Sequence, residues 1–221
     1  MRDLVKEIRT RLGDAHVQTP YYEEVEAGDR LGLFWGVQSV FRALFEQLDL
    51  DDSIEIACGR GRHAAQIVDK VGTLTLVDIN QSNIDACRTR FSGRSRVKYL
   101  VNSGADLHPL PSGSYSSVYS YDSMVHFEAT DVISYLSEIS RVLRPGGRAL
   151  LHYSNTQDNP EGTYAEDPRW RAFFSEPMMR HFGSRVGLRS LASKVISWPP
   201  PPVLSGTANA DAVTLLEKVR E

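Results

Sequence analysis

Asp122, His126 and His152 are residue types that accept, hold and hand on protons. In "YDSMVHF" (121–127) the carboxylate and the imidazole stand four residues apart, the spacing of one helical turn. A hydroxyl is a poor nucleophile until its proton leaves, so a histidine beside it suits general-base work. His126 is the first candidate for that base, with Asp122 orienting it or the acceptor, and His152 the second. Each histidine also has a plainer reading, as a buried ring bonded to backbone. Asp122, His126 and His152 could instead share a metal, although no recognised ligand motif accompanies them, and no metal is expected.

A second stretch bears chemistry of another kind. "SIEIACGRGRHAAQIV" (53–68) reads as a strand, a glycine turn and a helix start, and Gly59-Arg60-Gly61-Arg62-His63-Ala64 satisfies G-x-G-x-x-G/A literally. Such a loop holds either a dinucleotide's pyrophosphate or a different nucleotide-bearing cofactor. Glu55, just before it, would repel a pyrophosphate but suits a cationic ligand. About fifty residues precede the loop, whereas dinucleotide domains usually open on it, and nothing after the sheet is large enough for a separate substrate domain. Asp78 ends the next strand, where a carboxylate can accept both ribose hydroxyls or cap the following helix.

The elements that must position these residues alternate in type. Strands are expected at 53–57, 73–78, 97–101, 116–121, 148–154 and 211–218, with helical spacing at 61–70, 81–91, 128–143 and 176–187. That alternation predicts an α/β fold, a mainly parallel sheet with helices on both faces. The last strand is expected to close a sheet edge. "SWPPPP" (197–202) cannot be a central strand, because proline lacks the ladder donor. Residues 1–50 read as a helical cap with "TPYYEEVEAGDRLG" as a looser connection, 51–155 as a cofactor-binding core, and 156–221 as an acceptor-side loop, helix and closing strand of the same single domain.

Composition narrows the class of function. The chain of 221 residues is 41% hydrophobic and 24% charged with a formal net charge of −3, which argues against a nucleic-acid binder with a basic face. No apolar run approaches the ~18 residues of a membrane span, and "MRDLVKEIRTRLGD" is an amphipathic helix rather than a signal peptide. Cys58 and Cys87 lack metal-type spacing and read as reduced thiols of a cytoplasmic protein. Neither nucleic acid nor membrane is expected as a partner, and the sequence assigns no oligomeric state.

"IEIACGRGRH", "LTLVDIN", "NSGADLHPLPSGSYSSVYSYDSMVHF" and "ISRVLRPGGRALLHYSN", in that order over 53–155, resemble the successive motifs of a class I S-adenosylmethionine-dependent methyltransferase. That resemblance implies a Rossmann-like seven-stranded sheet and S-adenosylmethionine as cofactor. It places Glu55, Ala57, Gly59 and Gly61 around the methionine part, Asp78 on the ribose, Ile79 on the adenine face, and Ala105 and Asp106 on the adenine edge, although Asp106 also reads as a turn residue. Tyr121 would complete the cofactor site. The family usually has glycine where this chain has Ala57, which implies a slightly tighter pocket. More narrowly, "MVHF" followed by "HYSNTQDNPEGTYAEDPRWRAFFS" is similar to a bacterial group whose members often accompany glycan or secondary-metabolite genes. The acceptor is then a hydroxyl of a small molecule or glycan, with an amine or carboxylate as alternative and a nicotinamide-dependent oxidoreductase or a non-catalytic nucleotide binder as rival classes. Tyr22 and Trp35 (in an aromatic cluster with Tyr21 and Phe34), Trp170 and Arg171 are the candidate acceptor contacts. Phe34 and Trp35 also read as simple packing of the first helix, and Arg171 as a grip on an acceptor carboxylate or phosphate.

Overall fold

A computed structural model describes residues 2–27, 31–198 and 208–220. Strand β1 (Asp52–Ile56) sends Ile54 and Ile56 to one face and Ser53 and Glu55 to the other, the two-residue period of a strand. It lies between β2 (Thr73–Asp78) and β4 (Tyr115–Met124), parallel to both. With β3 (Val97–Val101), β5 (Leu143–Ser154), β6 (Leu188–Ile196) and β7 (Asp211–Lys218) they make a seven-stranded sheet in the order β3-β2-β1-β4-β5-β7-β6. Only β7 runs against its neighbours, β5 and β6. Strand order reverses between β1 and β4, and open α/β sheets bind ligands at the carboxyl end of such a switch point.

Helices cover both faces. On one, Phe41 and Phe45 of α4 (Val40–Phe45) and Ile84 and Cys87 of α5 (Gln81–Arg90) pack on Leu74, Leu76 and Tyr119. On the other, Val132, Leu136 and Ile139 of α6 (Ala129–Val142) and Met179 of α7 (Glu176–Arg185) pack on Ile54, Ile56, Val118 and Leu151. Val132, Leu136, Ile139 and Val142 give α6 an apolar stripe at helical spacing, with Tyr135 buried beside it. Three further helices, α1 (Arg2–Gln18), α2 (Tyr21–Ala27) and α3 (Leu31–Trp35), precede the sheet.

Four elements differ from the sequence expectation. The helix read over 61–70 is only a 3-10 turn at Ala64–Gln66. Ala64, Ile67, Val68 and Val71 keep their helical spacing and are buried, but the β-branched run Ile67-Val68 has weak helix preference. The looser connection over 19–32 contains α2 and the first two residues of α3. Strand β6 was not foreseen, because at the sheet edge it buries only Leu188 and shows little alternation. The closing strand β7 therefore lies inside β6 rather than at the edge. Prolines 199–202 lie outside the described residues.

Candidate active site

The carboxyl ends of β1, β2 and β4 deliver three short segments, 57–63, 78–83 and 121–127, to one cleft of about 860 Å³. Helices α1 and α2 roof it with Arg9, His16, Tyr21 and Tyr22. The roof is tied down at several points: Arg9 donates to both oxygens of buried Asp131, at 3.0 and 2.5 Å, and Asn80 Nδ2 donates to the Gly13 carbonyl at 3.0 Å.

The glycine loop is held by Asp78. Its Oδ2 accepts the Gly59 N–H at 2.9 Å, and its Oδ1 accepts from Asn80 N–H and Asn83 Nδ2 at 2.9 and 3.1 Å. Gly59 has φ of +52°, and a Cβ there would come within 2.8 Å of the Tyr22 ring, so glycine is needed both for the turn and for close approach. Ala57 adopts φ of +54° and lines the same cleft. Gly61 points elsewhere: its φ is +78° and a Cβ would strike Phe91 at 2.7 Å, so it packs the loop on α5.

At the end of β4 the β4–β5 register slips between Ser120 and Met124, which turns Asp122, at φ of +57°, into the cleft. Asp122 Oδ2 accepts from Tyr21 Oη at 3.2 Å and from Arg62 Nη2 at 2.9 Å. Burial, then the charge of Asp122, raises the Tyr21 phenol far above its usual value, so it remains a donor. Among the described residues, Arg62 Nη1 is buried with no hydrogen-bond partner.

His126 hydrogen-bonds the Trp170 carbonyl through Nδ1. A carbonyl can only accept, so the Nδ1 carries the proton and Nε2 holds the free lone pair. Burial, then His16 and Arg171, pushes the ring down to about 3, so it is neutral at physiological pH. His16, on α1, repeats the arrangement: its Nδ1 lies 3.0 Å from the Leu12 carbonyl, and the two imidazole centroids are 5.2 Å apart.

The cleft thus brings together Tyr22, Ala57, Gly59, Asp78, Ile79, Tyr121, Asp122 and His126 from the sequence candidates. The others lie outside its lining, each for a visible reason. Glu55 is buried behind it, accepting the Tyr119 hydroxyl at 2.7 Å, and burial pushes it up to about 8 against that hydrogen bond. Ala105 and Asp106 sit in the loop after β3, where Asp106 accepts from Ser103 Oγ and from the His108 N–H. His152 is wholly buried and committed to Asp211 and to the Asp122 N–H. Trp35 packs on Phe41 and Phe45 and donates to His63 Nδ1 at 2.9 Å. Trp170 is half exposed and offers its carbonyl instead. Arg171 spends its guanidinium on Asp211 rather than on an acceptor. Arg9 and His16 were missed by sequence reading. Their signal was the spacing of 9, 12 and 16 on one helical face, but nothing in α1 itself says what that face covers.

Residues 54–151 match the family described as "Methyltransferase domain". Methyltransferase GfsG of Streptomyces halstedii is 28% identical over 132 residues, 57% of this chain and 44% of that protein. The fatty-acid O-methyltransferase of Mycolicibacterium smegmatis is 31% identical over 99 residues, 44% of this chain and 35% of that protein. The chain therefore spans less than half the length of both. Among solved structures, geranyl diphosphate C-methyltransferase from Streptomyces coelicolor superposes with a TM-score of 0.70 at 12% identity, covering 96% of this chain and 98% of that one.

Together these features make residues 54–151 a class I S-adenosylmethionine-dependent methyltransferase domain, whose cofactor is S-adenosylmethionine. The dinucleotide reading of the glycine loop falls with that match.

The residues present fit this cofactor. A zwitterionic amino-acid end needs a donor and an acceptor side by side. Among the described residues Arg62 Nη1 is a buried donor without a partner, and Asp122, bonded there through Oδ2 only, leaves Oδ1 to accept. Asp78 and Ile79, the sequence candidates for ribose and adenine, line the cleft at the end of β2. Among the described residues no helix is long and apolar enough to cross a membrane, and no three histidine, cysteine or acidic side chains form a metal-holding group.

Proposed function

We propose that the protein transfers a methyl group from S-adenosylmethionine to a hydroxyl of a small molecule or sugar. The observation that carries this reading is His126: a neutral imidazole, bonded through Nδ1 and with no partner at Nε2 among the described residues, that lines the same cleft as Gly59 and Asp78. The bound cofactor supplies an electrophilic methyl group on a sulfonium. His126 Nε2 takes the proton of the acceptor hydroxyl as the new C–O bond forms and the C–S bond breaks. Asp122, braced by Tyr21 and Arg62, orients the ligands' polar groups, and the roof of α1 and α2 limits water. O-methyltransferases among the similar proteins, including the mycolicibacterial one, support an oxygen acceptor. Glycan acceptors fit the same chemistry. Cys58 and Cys87 are buried free thiols, both donating to the Gly59 carbonyl, which fits a reducing cytoplasmic setting.

Labelled S-adenosylmethionine offered with a panel of phenols, sugars and hydroxy acids tests the transfer. His126→Asn retains an N–H for the Trp170 carbonyl but lacks Nε2. We expect it to lose roughly 10²–10⁴-fold in turnover while binding S-adenosylhomocysteine as the parent does. With the base titrating only near 3, turnover should also show no acid limb between pH 5 and 8. Full turnover by a folded His126→Asn variant refutes the base assignment.

A further inference from the structure

The cleft has a support behind it that does not touch ligand space. Asp122 is a non-glycine residue at φ of +57°, a strained conformation that persists only where the surroundings impose it. The slip in the β4–β5 register leaves its N–H outside the regular ladder. That N–H instead donates to His152 Nδ1 at 3.1 Å. Accepting at Nδ1 puts the imidazole proton on Nε2, which lies 3.2 Å from Asp211 Oδ2.

Asp211 is wholly buried and fixed in turn. Arg171 donates to it through Nε and Nη2 at 2.5 and 2.8 Å, and the Trp198 indole N–H donates at 2.5 Å. Burial pushes Asp211 upward, but the hydrogen bonds from His152 and Arg171 outweigh it and hold the carboxylate below its ordinary range. The Tyr121 ring stacks on His152 at 4.6 Å and closes off rotation. None of His152, Arg171, Trp198 or Asp211 lines the cleft.

We infer that His152 and Asp211 are a positioning pair, which holds the Asp122 backbone in its left-handed conformation and so aims its carboxylate at the cofactor's amino-acid end. This rests on the cleft being the S-adenosylmethionine site. Through Asp211 the guanidinium of Arg171 and the indole of Trp198 are tied to His152 and so to the Asp122 backbone. A proton-relay role for His152 is not required, because both its nitrogens are already engaged.

Two isosteric variants separate positioning from mere core stability. His152→Asn sets an amide oxygen where Nδ1 was, keeping the acceptor for the Asp122 N–H but losing Asp211. His152→Gln keeps a donor near Asp211 but loses that acceptor. By titration calorimetry with S-adenosylhomocysteine, we expect His152→Asn to bind within about threefold of the parent and His152→Gln to bind about tenfold or more weakly. The reverse order, or equal loss in both, overturns the proposal. In the free parent protein, a scalar coupling between the Asp122 amide nitrogen and His152 Nδ1 is expected, and its absence overturns the proposal as well. Failure of the parent to bind S-adenosylhomocysteine refutes the cofactor reading instead, and the coupling still decides whether His152 holds Asp122.

Discussion

Ala57 sits where the chain must turn left-handed, with φ of +54°. A side chain in that conformation costs roughly 1–2 kcal/mol, while glycine would cost about 0.4–1 kcal/mol through the freedom it adds to the unfolded chain. The first effect is the larger. Ala57→Gly should therefore stabilise the protein by about 0.5 kcal/mol, read as a higher urea midpoint at unchanged slope. A lower midpoint would show that the methyl group's contacts with the core under α6 matter more. At this scale, Gly59, Asp78 and Asp122 were legible because a strand end fixes where they emerge. Glu55 and Arg171 were not. Their partners, Tyr119 and Asp211, are 64 and 40 residues away, and a charged side chain looks equally available whether or not such a partner exists.

Among the elements, α1 decides whether the cleft is roofed. Arg9 reaches across to Asp131, whose side chain is 5% exposed in the first turn of α6. Removing one member of such a pair leaves a buried charge, a loss of about 3–5 kcal/mol in full burial. The helix N-terminus offsets part of it. Arg9→Met should thus cost about 2–3 kcal/mol and speed hydrogen exchange across residues 2–18 well before the sheet opens. Unchanged exchange there would mean that Asn80 and the Tyr21 contact hold the roof without Arg9. The sequence marked α1 as an amphipathic helix, but a helix face does not name its partner. Strand β6 shows the same limit from the other side: an exposed edge strand buries too little to leave a pattern.

For the whole molecule, Glu55 couples stability to pH. It is buried beneath the sheet's carboxyl edge and pushed up to about 8 by burial, against the Tyr119 hydrogen bond and the field of Arg62. Unfolded, a glutamate titrates near 4.3. Between these values the folded protein holds a proton that the unfolded chain has released. The protonated carboxyl's contribution is therefore complete below the unfolded pKa and is lost as pH rises toward 8, at up to about 1.4 kcal/mol per pH unit. Glu55→Gln should flatten the urea-stability profile between pH 5 and 8. Equal slopes in variant and parent would show that Glu55 is ionised in the folded protein.

The alternation of strand and helix, the glycine turn after β1, the carboxylate ending β2 and the polar segment ending β4 can all be read from the chain. Each is a local pattern, written in neighbours a few residues apart. Long-range packing sets which polar side chains face the cleft and which are consumed behind it. It turned His152 and Arg171 inward to Asp211, gave the roof Arg9 and His16, and left Arg62 with a buried donor unpaired among the described residues. Those assignments depend on who satisfies whom across the fold, because a buried polar group takes whichever partner packing brings within hydrogen-bond reach.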